Sequence, residues 1–227
     1  GSLFSHDNTS GGKIYINIGA APNNAPVTTN YQVNDGTEDT DYLIDVVTTD
    51  NSATGTKIVT DADGDDLTVS IVSQGSNGTA SVSGNVITYS PDADWNGTDT
   101  VTYKVNDGTD DSNTSTITYV IGAVNDAPTA GDVTLNLDYR SDRTYSIDMT
   151  SGAGDVDGDA LTYQMLSTDN LTDGSYAHDG SSGTGTFTSS AGFSGSAGYI
   201  TYRASDGSLF SHDNTSGGKI YININEQ

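Results

Sequence analysis

The chain of 227 residues carries 31 acidic against 7 basic side chains, a formal net charge of -24, and only 33% hydrophobic residues. That balance excludes nucleic acid and anionic membrane surfaces as partners, since phosphates are held by Lys and Arg and only Lys13, Lys57, Lys104, Arg140, Arg143, Arg203 and Lys219 are available. Cysteine is absent, which removes disulfides, zinc thiolates, iron–sulfur clusters and cysteine nucleophiles; no apolar run approaches the roughly 20 residues of a membrane span, and no signal peptide opens the sequence, as expected of a soluble, mature or excised piece.

Gly, Thr, Ser and Asn dominate, and no window sustains 3.6-residue apolar spacing, so the chain is expected to be all-β. Low hydrophobicity with high charge also suits disorder, but the period-2 segments are too regular for a solvated coil. Residues 1–18, GSLFSHDNTSGGKIYINI, recur letter for letter as 207–224. They read as the C-terminal strand of a preceding repeat, able to exchange with a strand of a neighbouring molecule. A first domain, 19–124, offers strands near 27–33, 42–47, 67–73, 79–83, 86–89, 98–105 and 115–121, with an insertion near 48–60. A second, 125–227, offers strands near 133–137, 144–149, 161–167, 174–178, 183–188, 199–204 and 219–224, with a long polar tip from 206 to 218. The expected architecture is two tandem seven-stranded antiparallel β-sandwiches behind one orphan strand.

Only Glu38 and Glu226 are glutamates; the other 29 acids are aspartates, which suit turns and hard-cation sites. DADGDDLT at 61–68 echoes DVDGDALT at 155–162, and NNAP at 23–26 echoes NDAP at 125–128. In a sandwich the B–C and F–G loops share one pole. Asp61, Asp63, Asp65 and Asp107 should therefore meet Asn24, and Asp155, Asp157, Asp159 and Asp206 should meet Asn125 and Asp126. Glu38 and Asp39, with Asp92 and Asp94, fall at the opposite pole of the first domain, facing the second linker. Bare carboxylates packed this closely repel, and calcium, with six to eight oxygen ligands in flexible geometry, resolves the conflict better than magnesium. Asp-x-Asp-Gly-Asp is also an ordinary solvated turn, and it matches neither an EF-hand nor a calcium-binding nonapeptide.

The NDAP linker, GTEDT at 36–40, DADGDDLT, YSPDADWNGTD at 89–99 and YKVNDG at 103–108 resemble the cadherin-like, immunoglobulin-like tandem repeats of giant RTX-type bacterial surface adhesins. The second domain departs at 140–143, RSDR, and at 190–198, SAGFSGSAG. The resemblance implies calcium between domains, bound by the Asp-x-Asp pair and F–G Asp of one domain, the linker Asn and Asp, and Glu38 of the domain before. It implies an extracellular, calcium-stiffened spacer in cell adhesion or biofilm formation, with neighbouring repeats as its partners.

Catalysis is not expected. His6, His178 and His212 are the only histidines, and no nucleophile elbow, zinc-protease or phosphate-loop motif occurs. Paired carboxylates alone leave a glycosidase open, but exposed turns lack the apolar pocket that raises an acid's pKa. Carbohydrate binding is the competing reading, through loop aromatics such as Phe4, Phe210 or Tyr176. Trp95, aligned with Phe193, reads as a core plug, and Tyr89, Tyr103, Tyr199 and Tyr202 as half-buried sheet residues. The acidity also fits salt adaptation or plain solubility.

Overall fold

The structure, a computed structural model, describes residues 21–51, 55–212 and 217–226. The N-terminal copy with His6 and Phe4 lies outside these residues, as do 213–216 of the polar tip. The chain divides between Ala123 and Val124 into two compact units. Among the described residues no helix is long and apolar enough to cross a membrane.

Unit 1 contains β1 (Val27–Thr28), β2 (Tyr31–Thr37), β3 (Tyr42–Asp45), β4 (Asp50–Asn51), β5 (Thr56–Lys57), β6 (Val59–Thr60), β7 (Thr68–Ser73), β8 (Gly78–Ser83), β9 (Val86–Pro91), β10 (Gly97–Asn106) and β11 (Ser115–Gly122). Its main sheets have the orders β2-β11-β10-β7 and β3-β9-β8, a seven-stranded sandwich. The expected insertion at 48–60 contains the β4–β5 hairpin and β6, which pairs with β1.

Unit 2 repeats the plan with β12 (Thr129–Ala130), β13 (Val133–Leu137), β14 (Thr144–Asp148), β15 (Ala153–Gly154), β16 (Thr162–Ser167), β17 (Ser175–His178), β18 (Thr184–Thr188), β19 (Gly195–Ser205) and β20 (Gly218–Ile224). Its sheets run β13-β20-β19-β16 and β14-β18-β17. One pair in each unit is parallel rather than antiparallel: β2 beside β11 and β13 beside β20. The first long strand leaves one pole and the last long strand leads to the other, so the two run the same way.

Alternation builds each core. In β11 Ile117, Tyr119 and Ile121 turn inward, and in β20 Ile220, Ile222 and Ile224 do the same. Tyr89 stacks on Tyr119 at 4.2 Å between ring centres. Tyr89, Tyr103 and Tyr202 are fully buried, deeper than the half-burial expected of them. The phenol tips explain how they can be. Tyr103 donates to Thr29 O (3.1 Å) and Tyr202 to Gly131 O (3.1 Å), tying the first strand segments to the core. Burial pushes both phenols up to about 12. Trp95 and Phe193 pack against their units' cores, as plugs should.

Candidate metal centres

Each Asp-x-Asp-Gly-Asp loop turns on a glycine with φ +77° (Gly64) or +79° (Gly158), a left-handed backbone that other residues rarely adopt. In unit 1 one oxygen of Asp61, Oδ1, holds the turn by accepting the N–H groups of Asp63 (3.0 Å), Gly64 (2.6 Å) and Asp65 (3.2 Å). Its other oxygen, Oδ2, is buried and has no hydrogen-bond partner. Unit 2 behaves alike: Asp155 Oδ1 accepts the Asp159 N–H (3.2 Å), and Asp155 Oδ2 is buried without a partner.

The entering segments close over these loops. Asn24 donates its N–H to Asp63 Oδ2 (2.7 Å), and Asn23 Nδ2 bridges Asp107 (3.0 Å) and Asp110 (2.9 Å). In unit 2 the Asp126 N–H donates to Asp157 Oδ2 (2.8 Å), and Asn125 Nδ2 to Asp206 Oδ2 (2.8 Å). Pro26 and Pro128, which follow, are both buried and anchor each segment. Asn23 and Asp110 were not in the expected ligand set. The signal for Asp110 was its place three residues beyond Asp107; unit 2 has Leu209 there instead of an acid.

Electrostatics marks the unit 1 loop as strained by its own charge. Loss of hydration, then the charges of Asp61, Asp63, Asp107 and Asp66, push the Asp65 carboxyl above its ordinary value. Asp107 is held low, first by the Asp110 N–H and then by Asn23 and the Thr109 N–H. Asp206 is likewise held low by the Leu209 N–H and Asn125. These two acids stay ionised at the rim.

One carboxylate oxygen from each of Asp61, Asp63 and Asp65 lies within 4.8 Å of the others. Two oxygens on one calcium ion sit at most about 5 Å apart, so the set fits a single ion. A buried oxygen with no donor is what a bound cation would satisfy. At the other end of unit 1 the Glu38 N–H donates to Gly122 O (3.2 Å), and the Asp94 N–H to Asp39 Oδ1 (3.2 Å). The corresponding corner of unit 2 is basic: Arg143 O accepts the Ser189 N–H (3.0 Å), Arg143 Nη1 donates to Ser189 O (3.4 Å), and the Arg140 N–H donates to the Tyr145 hydroxyl oxygen (3.2 Å).

Of the aromatics named for carbohydrate binding, Tyr176 is a half-buried residue of β17, the strand expected at 174–178, and not a loop-tip residue. Phe210 is 49% exposed beside Leu209, but the Arg203 guanidinium covers one ring face at 3.8 Å. His178 lies on β17 against Tyr163 O (3.3 Å) and the Tyr176 hydroxyl (3.5 Å).

Residues 23–120 match the family model of a bacterial Ig domain, and residues 124–220 match that of a cadherin-like domain. No curated protein matches the chain. Among solved structures, the human desmocollin-1 ectodomain covers 90% of this chain and 41% of its own, at 14% identity and a TM-score of 0.50. Human mucin-like protocadherin EC1-2 covers 88% of this chain and 97% of its own, at 13% identity and a TM-score of 0.41. An endo-fucoidan hydrolase from glycoside hydrolase family 107 covers 88% and 28%, at 20% identity and a TM-score of 0.38. The chain thus spans less than half the length of the hydrolase and of desmocollin-1. At 14% identity the likeness to desmocollin-1 shows the fold alone. Unit 1 is thus similar in sequence to a bacterial Ig domain and unit 2 to a cadherin-like domain, and both fold as β-sandwiches.

Proposed function

We propose that the chain is a calcium-stiffened spacer from an extracellular repeat array, part of the stalk of a bacterial cell-surface adhesin that serves adhesion or biofilm formation. One observation carries the reading: the first aspartate of both loops, Asp61 and Asp155, spends one oxygen on its own turn and buries the other without a partner. Cadherin-like domains commonly bind calcium, and bacterial Ig and cadherin-like domains are typically extracellular and non-enzymatic. The proposed ligands are Asn24, Asp61, Asp63, Asp65 and Asp107 in unit 1, and Asn125, Asp126, Asp155, Asp157, Asp159 and Asp206 in unit 2; Glu38 completes the set implied by the resemblance.

Stiffening follows from where the linker is held. Gly122 ends β11 with its carbonyl bonded to Glu38, while Asn125 and Asp126 are bonded to the acidic loops of unit 2. Only Ala123 and Val124 lie between these attachments. Calcium bound to the Asn125 and Asp126 side strengthens the second attachment and removes freedom from the linker. Extracellular modules bind calcium with dissociation constants of about 0.1–1 mM, so millimolar calcium fills such sites. Covering one ring face of Phe210 weakens the carbohydrate-binding reading.

Small-angle X-ray scattering in EDTA and in millimolar calcium tests the proposal. Calcium is expected to lengthen the maximum dimension and reduce flexibility, and Asp157→Ala to abolish that response while both units stay folded. Identical scattering in the two conditions would overturn it.

A further inference from the structure

The outer face of the larger sheet in unit 2 is built unlike its counterpart in unit 1. VTYKVNDG at 101–108 echoes ITYRASDG at 200–207, so β10 answers to β19 and β11 to β20. The ladders then match the outward residues pair by pair. In unit 1 Thr100 faces Thr118 and Thr102 faces Thr116; in unit 2 Tyr199 faces Tyr221 and Thr201 faces Lys219. At the next outward position, Lys104 pairs with Asp111, whereas the Arg203 guanidinium lies 3.8 Å over the Phe210 ring. The bridges Asn106–Asp111 and Ser205–Phe210 show that these two partners hold the same place. A face of threonines closed by an ion pair in one unit thus carries three aromatic rings and two cations in the other.

Those cations have no acid to answer them. Lys57 and Lys104 of unit 1 are both paired with aspartates, but neither Lys219 nor Arg203 meets a carboxylate among the described residues. Lys219 Nζ lies 5.3 Å from the centre of the Tyr199 ring. Arg203, 9% exposed, gives Nε and Nη2 to the neutral Gln164 Oε1 (2.9 and 2.6 Å), and its Nη1 has no partner among the described residues. A guanidinium so far buried without a counter-ion is costly unless an anion reaches it. Tyr221 supplies a surface beside this charge: its ring centre is 5.3 Å from that of Tyr199, and among the described residues no cation lies over it. β19 and β20 are inner strands, so the face offers side chains and no free backbone edge for a peptide to extend. We propose that this face of unit 2 binds an anionic polysaccharide, a sugar ring stacking on Tyr221 while its carboxylate or sulfate takes a charge-assisted hydrogen bond from Lys219, with Arg203 the next cation along the face. Phe210, with one ring face taken, is not the platform. The rest of the chain repels a polyanion, but at physiological ionic strength that repulsion fades within about 8 Å, and the contact at the face decides.

Binding of the full chain to immobilised polygalacturonate, dextran sulfate, dextran and polyglutamate is measured at about 0.15 M NaCl in EDTA. The chelator keeps calcium from bridging a glycan to the acidic loops, so this site and the proposed stiffening succeed or fail separately. Binding to one or both anionic polysaccharides and not to dextran is expected, and the one that binds tells whether carboxylate or sulfate is recognised. Lys219→Thr and Tyr221→Thr bring in the residue type that unit 1 has at the matching places, Thr116 and Thr118. Each should weaken binding about tenfold, whereas Lys219→Arg and Tyr221→Phe, which keep the charge and the ring, should keep it within about threefold. No binding to either anionic polysaccharide overturns the proposal, as does equal binding to dextran, or to polyglutamate, which would make an acidic peptide the occupant. Unchanged affinity in Lys219→Thr with the unit 2 melting transition intact overturns it too. Grafting Thr100→Tyr, Thr116→Lys and Thr118→Tyr onto unit 1 gives a reading that does not depend on the stability of unit 2. A second site, doubling the glycan bound per chain at saturation, is expected, and unchanged stoichiometry refutes the proposal.

Discussion

Asp99 shows how much one side chain can carry without belonging to a metal loop. Its inward phase on β10, shared with Val101, Tyr103 and Val105, buries it to 5% exposure. It accepts from the N–H groups of Ser76 (3.0 Å), Asn77 (2.9 Å) and Thr100 (2.8 Å) and from the Tyr89 hydroxyl (2.7 Å). Burial alone would raise its pKa, but these donors outweigh it and hold the carboxyl below its ordinary value. Unit 2 has lost both halves of the pair: Phe187 replaces Tyr89, and a bulge at Ala197 and Gly198 replaces the acid. Asp99→Ala is expected to cost about 3 kcal/mol in chemical denaturation, and less than the sum of single effects when combined with Tyr89→Phe. A carboxyl held low stabilises the fold above its unfolded pKa and loses that contribution as pH falls through the folded value. Unit 1 should therefore weaken more than unit 2 below about pH 4, and Asp99→Asn should flatten the difference in melts followed against pH. The sequence contained the signal for Asp99 in its two-residue phase, but composition hides it, since one aspartate among so many looks like another loop acid.

At the scale of elements, the long strands were legible because most of them alternate and several of the turns between them carry Asp-Gly, Asn-Gly or Ser-Gly. The strand expected at 27–33 is broken into β1 and the start of β2, and the two-residue strands β6, β12 and β15 were not legible, because a pair so short has no period to read. The direction of β2 and β13 was equally invisible: alternation fixes which face is buried, not which way a neighbour runs. The acidic loops were legible from the repeat itself, whereas the bridging role of Asn23 depends on a turn geometry that spacing does not encode. Gly218→Ala drives a methyl into two backbone carbonyls of the β12 region, which cannot give way as side chains do. It is expected to cost unit 2 about 1–3 kcal/mol and to lower only the unit 2 transition in calorimetry, because each unit closes its own core.

For the whole molecule, the proposed calcium linkage carries an expected scale of response. At ten times its dissociation constant a ligand stabilises the state that binds it by about 1.4 kcal/mol, which for a domain of this size raises Tm by roughly 6–10 °C. Calorimetry in EDTA and in calcium should show that rise, and Asp61→Asn should remove it from unit 1 alone. The parallel ladder between β2 and β11 bears on what the proposed spacer would have to withstand. Tyr31 lies beside Ile117 and Thr37 beside Gly122, so the chain comes in at one end of the ladder and goes out at the other. Tension along the chain then drags the two strands past each other in shear, and every rung resists together, where an antiparallel pairing of the same strands would peel open one bond at a time. Unit 2 is strung the same way through β13 and β20, so both units meet a pull along their strongest axis.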